Sequence, residues 1–312
     1  MRRSSKCLFF IFVALAVNGR LFAEENLPVR WSPQWKVGDS YVVEYTKERV
    51  SFQGTPAASN KGRSTIKITV EEKNDDYFVV HWTYGRFELD GPEKDNPFVV
   101  KMMNISEGLC LKMKTDASGL PYELINVDEM IGKMKEVLND IESFFEENKA
   151  PKQTIRQTLE TLREQYRKPE VVKQSLMNDS LLFFRCCSGE LKPNDPEEVE
   201  MTLPNPFGGD PFPGKSTTRL IKFEEQSGLA TVEYLLEFDK EKASSGMFDI
   251  LKKMRPESPD PEGGFPELDI YDKTSCRIDT RKGWPLSIEF IRAIKVDGRG
   301  GEQKITFKTV KP

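Results

Sequence analysis

Histidine is almost absent from this sequence, and cysteine is scarce. His81 is the single histidine in 312 residues, and the five cysteines include no pair spaced C-x-x-C. Zinc sites in proteins are built from several imidazole or thiolate ligands, so no metal site is predicted. Catalysis by a Ser-His-Asp or Cys-His set would have to use His81, which lies in an aromatic stretch typical of a packed strand. No cofactor and no catalytic residue are predicted.

Long apolar runs are also missing. The most apolar stretch, Cys7 to Val17, has 11 residues, well short of the roughly 20 that span a bilayer as a helix. Three cations precede it: Arg2, Arg3 and Lys6. This layout is typical of a secretory signal peptide over residues 1–23, cleaved after Ala23 or, alternatively, after Gly19. The sequence therefore predicts a secreted or periplasmic protein of residues 24–312, without a transmembrane segment.

The sequence has no excess of positive charge. It carries 46 Lys and Arg against 50 Asp and Glu. The predicted signal peptide holds four of the cations and no acid, which leaves 42 cations and a formal charge of −8 for residues 24–312. A mildly acidic chain is soluble and lacks the electrostatic attraction on which general nucleic-acid binding depends. No nucleic-acid partner is predicted.

Four cysteines remain after the predicted signal peptide. An oxidising compartment allows them to form disulfides, and four cysteines permit three full pairings. The alternative is that they are buried thiols, since a chain of this size does not need covalent cross-links to fold. The pairing stays open among the four candidates: Cys110, Cys186, Cys187 and Cys276.

Period-2 alternation predicts strands over residues 35–113. In Ser64–Val70 the apolar residues recur at every second position, and Asn74-Asp75-Asp76 supplies a turn before the strand Tyr77–Tyr84. Phe98–Met103 and Leu109–Met113 are interpreted as two further strands of this set. Such patterning is typical of a sheet with one buried face.

The period then changes from two to between three and four. Apolar residues from Val127 to Phe145 recur at steps of three and four, which predicts a long amphipathic helix. A second stripe begins after Pro151, and Pro169 starts a shorter helical turn that ends near Leu176. Residues 127–176 are therefore predicted to be an inserted helical hairpin.

Strands resume in the second half and run over residues 181–310. The apolar run Leu181–Cys187 is interpreted as a buried strand, and two segments rich in Pro and Gly, 188–214 and 255–266, as surface loops. The predicted fold class is α+β, with one or two curved antiparallel sheets, an inserted α-helical hairpin, and a single domain over residues 24–312.

One segment matches a phosphate-binding expression. Gly209 to Ser216 satisfies G-x-x-x-x-G-K-[ST], the pattern of the P-loop. Pro211 and Pro213 remove two of the backbone N–H donors that a P-loop offers to phosphate, and the residues that follow alternate like a strand. No nucleotide is predicted to bind here.

Aromatic residues are concentrated in the first set of strands. They favour an apolar concavity between a curved sheet and the helical hairpin, with methionines as adaptable walls. The alternative is ordinary core packing, since sheets favour aromatic residues in any case. The residues predicted to line a ligand site are Tyr41, Tyr45, Trp82, Tyr84, Met130 and Met134.

Two short segments and the order of elements carry a resemblance. The chain has an early Trp-x-Val-Gly-Asp turn (Trp35–Asp39), strands with an inserted helical pair, and a late Asp-Thr-Arg-Lys-Gly-Trp-Pro segment (Asp279–Pro285). In these features it resembles uncharacterised secreted proteins of bacterial envelopes. It is also similar in layout to the half-barrel lipoprotein carriers of the LolA/LppX kind, which implies a curved antiparallel sheet, covered by helices, that holds acyl chains. Those carriers lack the extra loops 188–214 and 255–266.

Three functions are compatible with the sequence. The first is a non-enzymatic protein that binds a lipid, another apolar ligand or an envelope protein. The second is a hydrolase whose carboxylates leave no local pattern because they are far apart in sequence. The third is a structural or interaction module. An apolar groove would favour the first, two facing carboxylates the second, and a filled core with flat polar faces the third.

Overall fold

A computed structural model describes residues 27–53, 56–92, 94–147, 152–203, 211–245, 268–296 and 299–311. The predicted signal peptide and the predicted loop 255–266 lie outside these ranges. Fourteen strands are described: β1 Val29–Trp31, β2 Ser40–Gln53, β3 Pro56–Lys73, β4 Tyr77–Tyr84, β5 Glu88–Asp90, β6 Cys110–Asp116, β7 Pro121–Leu124, β8 Gly189–Leu191, β9 Glu197–Leu203, β10 Phe212–Glu224, β11 Leu229–Phe238, β12 Leu268–Asp279, β13 Trp284–Val296 and β14 Arg299–Lys311. The labelled helices are α1 Pro97–Met103, α2 Val127–Glu147, α3 Lys152–Tyr166 and α4 Pro169–Phe184, with a 3₁₀ turn at Asn104–Ser106.

Twelve of the strands form one antiparallel sheet built from two meanders. The first runs β2-β3-β4-β6-β7, with β5 also pairing with β3, and the second runs β9 to β14 in chain order. The two meanders join where β14 pairs with β2. The sheet is open and curved, and helices α2 to α4 are inserted between β7 and β8. The predicted α+β fold class with a curved antiparallel sheet is confirmed.

The main core lies between α4 and the face of the sheet that α4 covers, called the inner face below. Side chains alternate along each strand, so every second residue faces inwards. Phe183 and Phe184 of α4 pack in one cluster with inner-face residues of both meanders, including Trp82, Trp284 and Phe307. Burial of large aromatic side chains on both layers is the main stabilising contribution to a fold of this kind.

The helical insertion has three helices. The first part of the predicted stripe of α2, with Met130, packs in the main core, and its later part faces α3 in a small cluster that contains Leu138, Ile141 and Leu159. Pro169 takes the first position of α4, as proline favours. The predicted short turn after Pro169 is instead a helix of 16 residues, because its buried residues Met177, Ser180 and Phe184 recur at helical steps.

Two segments predicted as strands are helical. Phe98–Met103 lies in α1, where the Asn96 side chain accepts the N–H of Val99 (3.4 Å) and Pro97 begins the helix. The strand predicted at Leu181–Cys187 is also wrong, because its first residues end α4 and Arg185 donates its N–H to the Leu181 carbonyl (3.1 Å). A short continuous apolar run occurs in buried helices as well as in buried strands.

The predicted loop 188–214 is wrong in part. It contains β8, β9 and the first residues of β10, while residues 204–210 lie outside the described ranges. Pro196 and Pro204 flank β9 instead of interrupting it, and β9 is an edge strand. Proline is compatible with the ends and edges of a sheet, where its missing N–H breaks no ladder.

The two segments that carry the family resemblance meet in the structure. The N–H of Gln34, next to Trp35, donates to the Lys282 carbonyl (3.0 Å), and the rings of Trp35 and Trp284 lie 5.7 Å apart. Gly283, which lies between Lys282 and Trp284 in sequence, has φ +59°, and a Cβ there would come within 2.2 Å of the Ser32 carbonyl oxygen. Only glycine fits this close approach of two backbones.

Candidate functional site

The predicted ligand-binding residues lie at the main core. Tyr41, Tyr45, Trp82 and Tyr84 face inwards from β2 and β4 and are at most 8 % exposed. The Tyr41 ring stacks on Trp284 at 3.6 Å. On α2, Met130 is fully buried and Met134 is half-buried. The structure thus brings five of the six into packed surroundings, and their role in ligand binding stays a prediction.

The polar edge of this core is a hydrogen bond between β2 and α4. The Tyr45 hydroxyl donates to Asp179 Oδ2 at 2.8 Å. Burial raises the pKa of Tyr45 well above its usual value, and the Asp179 charge adds to this. Burial and Asp179 likewise raise the pKa of Tyr84. A phenol in such a position stays neutral and serves as a donor.

These buried phenols make stability fall at alkaline pH. Burial, with a smaller effect of Asp39, raises the pKa of Tyr41 to about 12. Above pH ~10 the unfolded chain releases this proton while the folded chain keeps it, so the free energy of unfolding decreases by about 1.4 kcal/mol per pH unit for each such tyrosine. Tyr41→Phe keeps the ring stacking and is expected to make the decrease less steep by that amount. Urea unfolding between pH 9 and 11 measures it, and parallel curves for Tyr41→Phe and the unaltered protein would contradict the expectation.

Three cross-strand rows of the inner face show how the core gives way to polar residues. The first row is fully buried: Tyr45, Phe307, Ile288, Cys276 and Val232. The second is mixed: Lys47, Ile305, Phe290, Thr274 and Tyr234. The third is mostly polar or charged: Arg49, Gln303, Arg292, Asp272 and Leu236. The inner face therefore changes from apolar to charged over three successive rows.

A cavity of about 510 Å³ lies where this change occurs, between α4 and the sheet. Apolar residues of both α4 and the sheet line the cavity, and charged residues lie next to them. The lining residues are Lys47, Leu120, Asn178, Asp179, Leu181, Leu182, Arg185, Asp272, Phe290, Arg292, Gln303 and Ile305. The predicted site residue Tyr45 adjoins this cavity through its hydrogen bond to Asp179.

The carboxylates of the cavity are both engaged by donors. Arg292 donates from Nε and Nη2 to the two oxygens of Asp272, at 2.7 and 2.5 Å, while Asp179 accepts from Tyr45. The Arg185 guanidinium lies 4.5 Å above the Tyr234 ring. Within the described ranges, neither Lys47 nor Arg185 forms an ion pair. The cavity thus holds three cations against two carboxylates.

A second cavity, of about 330 Å³, lies beside α1. It is lined by Arg86, Phe87, Glu88, Leu89, Lys94, Val100, Met103 and Asn104. One of its lining residues, Phe87, contacts the Tyr45 ring edge-on, with the ring centres 5.7 Å apart. It is smaller than the first and brings together fewer charges.

The described residues contain one disulfide. Cys186, just after α4, is bonded to Cys276 of β12 across 90 residues of sequence, while Cys110 and Cys187 are free. The candidate list of four cysteines thus contains one bridge and two thiols. Burial raises the pKa of Cys187 well above its usual value, which keeps that thiol protonated and unreactive. The bridge fixes the end of α4, and with it Arg185, to the sheet.

The other motifs have ordinary structural surroundings. Gly214, Lys215 and Ser216 of the P-loop-like match lie inside β10, and Lys215 pairs with Glu198 of β9 at 2.7 Å. His81 Nδ1 lies 3.3 Å from Glu71. In the described part of the chain, no group of three or more His, Cys, Asp or Glu is placed to hold a metal ion. No helix of that part combines the length and apolar character needed to cross a membrane.

The charged lining of the cavity was missed from the sequence. A signal was present: Lys47 continues the inward-facing series Tyr41, Val43 and Tyr45, and Arg292 follows Ile288 and Phe290 in the same phase. A charged residue in the apolar phase of a strand indicates a polar site on the buried face. What the pattern does not give is which of these residues face one another, since that depends on the register between strands.

Comparisons with known proteins give little. No protein-family model and no curated protein matches the chain. Among solved structures, a match is found to one described as lipid-protein interactions in lipovitellin, with a TM-score of 0.38 and 10 % identity, over 89 % of this chain and 26 % of that chain. The chain spans about a quarter of that lipovitellin chain. A score of this size is a loose likeness and carries no information on function.

Proposed function

We propose that this chain is an exported, non-enzymatic binding protein whose ligand occupies the cavity between α4 and the inner face. The carrying observation is a cavity of about 510 Å³ at the boundary of the aromatic core, with Leu181, Leu182, Phe290 and Ile305 in its wall. Ligand sites in proteins have volumes of roughly 300–1,000 Å³ and combine apolar walls with a few polar groups. The ligand is accordingly a small molecule with a substantial apolar part.

The state of the carboxylates supports binding over hydrolysis. A general acid or base must be able to exchange a proton with the substrate. Asp272 is held by two donors of Arg292, and Asp179 by the Tyr45 hydroxyl. Both carboxylates are thus occupied by donors of the protein, and these contacts fix the walls of the cavity.

The exported location rests on the predicted signal peptide. The Cys186–Cys276 bond is compatible with it, because structural disulfides form and persist in oxidising compartments. The same bond keeps α4 against the sheet, so the cavity wall is held covalently.

Filling the cavity is expected to abolish binding. Leu182→Trp puts an indole into the space that the ligand needs, and we expect the affinity for the neutral fluorescent probe N-phenyl-1-naphthylamine to fall by at least about tenfold, or 1.4 kcal/mol. The measurement is a fluorescence titration of the purified mature chain. Leu27→Trp is the matched control, since Leu27 is 69 % exposed and distant in sequence from the cavity lining. Equal probe binding by both variants, or no binding by the unaltered protein, would contradict the proposed function.

A further inference from the structure

We propose that the ligand carries an anionic group, a carboxylate or a phosphate, which Lys47, Arg185 and Arg292 bind while the apolar part lies against α4 and the sheet. This inference rests on the proposed function and specifies the class of its ligand. The three cations come from β2, from the residue after α4, and from β13, and all three line the cavity.

Each cation keeps donors for a ligand. Arg292 uses one N–H of Nε and one of Nη2 for Asp272, which leaves three of its five N–H donors. The Arg185 guanidinium carbon lies 4.5 Å from the centre of the Tyr234 ring, and this contact with a ring face uses none of its N–H donors on an acceptor atom, so they can bind a planar or tetrahedral anion. In the described residues no carboxylate lies within ion-pair distance of Lys47. The three cations therefore have more N–H donors than the protein's own acceptor atoms occupy.

The placement of the charges gives the ligand an orientation. Lys47 and Ile305 are directly paired across β2 and β14, as are Arg292 and Gln303 across β13 and β14. Beyond this polar row, Ile294 and Ile270 belong to a second apolar cluster. Lys47 and Arg292 thus lie on the inner face between two apolar clusters, where a charged group has an apolar surface next to it. An amphipathic anion matches both features at once.

The two carboxylates of the cavity do not cancel this attraction. Asp272 offsets Arg292, and Asp179 accepts from Tyr45. The charges of Lys47 and Arg185 then face only the charge of Asp179. The three cations and two carboxylates of the lining give the cavity a net charge of +1. These cations repel an amphiphile with a positively charged head group, so the cavity selects its ligand by the sign of the head-group charge.

The test compares ligands that share a ten-carbon chain and differ in the head group. Decanoate, decyl phosphate, 1-decanol and decyltrimethylammonium compete with N-phenyl-1-naphthylamine for the mature chain. We expect the better of the two anions to bind at least about tenfold more tightly than decanol, and the quaternary amine more weakly than decanol. The preferred anion distinguishes a fatty-acid carboxylate from a phosphate head group.

Variants locate the anion. Lys47→Gln and Arg185→Gln are each expected to weaken the preferred anion by about tenfold and to leave decanol unchanged. Lys67→Gln is the matched control, because Lys67 is an exposed lysine on the opposite face of β3 and its removal changes the net charge equally. Thermal unfolding of each variant checks that the fold is retained.

The outcomes separate the two proposals. Equal binding of decanol and both anions, unaffected by the two variants, overturns the anionic ligand and leaves the proposed function in place. Competition by inorganic phosphate as strong as by decyl phosphate also overturns it, since the apolar part would then contribute nothing. Failure of every compound, the neutral probe included, overturns the proposed function and this inference with it.

Discussion

Phe307→Ala is expected to lower the free energy of unfolding by about 3–5 kcal/mol. Phe307 is fully buried on β14, the strand that joins the two meanders. Its ring lies 5.2 Å from Tyr45, 6.1 Å from Trp82 and 5.6 Å from Phe183 of α4. These neighbours belong to both layers of the fold, so they cannot all move into the space that the ring leaves. The variant therefore loses the transfer free energy of the ring and keeps a cavity.

Phe223→Ala is the matched control for this prediction. Phe223 is also on a strand of the large sheet, but 37 % of it is exposed, and its loss should cost less than about 1 kcal/mol. Urea unfolding followed by tryptophan fluorescence measures both. Similar midpoints for the two variants would show that Phe307 is not part of a tightly packed core.

Removal of the disulfide is expected to have a comparable effect. The double variant Cys186→Ala, Cys276→Ala opens a loop closed across 90 residues, and loss of a native disulfide typically costs about 2–5 kcal/mol. Both cysteines are fully buried, so alanine avoids an unpaired hydroxyl at either position. The end of α4 is then free to move, and Arg185 with it. We therefore expect weaker ligand binding together with the lower stability.

Cys187→Ala separates the cross-link from the burial of sulfur. Cys187 is adjacent to Cys186, fully buried and free, so the variant removes a sulfur from the same region without opening a loop. Its cost should stay below about 1.5 kcal/mol. Urea unfolding with and without dithiothreitol is the measurement. A stability of the double variant equal to that of Cys187→Ala, or no effect of dithiothreitol on the unaltered protein, would contradict the expectation.

The sequence predicts the α+β class and the helices with a one-sided stripe. In Val127–Glu147 the apolar residues lie on one face, because this helix is buried on one side only. In α4 the pattern fails at Leu181–Phe184, since apolar residues there face several neighbours at once and the alternation between apolar and polar is lost. Apolar periodicity identifies the secondary structure of a segment only when one of its sides is buried and the other is exposed.

Strand β9 is not predicted from the sequence, because of the residues that surround it. Prolines are dense around Glu197–Leu203, and a dense set of prolines normally indicates a loop. No proline lies inside the strand itself, which pairs with β10 on one side only. Glu198–Leu203 does alternate between polar and apolar residues, which is a strand pattern, and the prediction of a loop gave more weight to the flanking prolines.

Of the residues predicted to bind a ligand, Tyr45 adjoins the cavity through its hydrogen bond to Asp179, and its role in binding stays a prediction. The charged lining requires knowledge of register: a shift of one residue between β13 and β12 would turn Asp272 away from Arg292. Long-range register is set by the packing of the whole sheet against α4, which no local pattern encodes.

The pairing of β14 with β2 has a consequence for how the chain folds. The centre of the sheet joins Ser40–Gln53 to Arg299–Lys311, near opposite ends of the sequence. Contacts of such long sequence separation form slowly, because a large loop must close before they stabilise anything. During synthesis β2 has no partner on its β14 side until β14 has been made, so the first meander has an unpaired edge up to that point. Until then the unpaired edge of β2 is open to association with other chains, and this late completion of the sheet is compatible with export of an unfolded chain, which the predicted signal peptide implies.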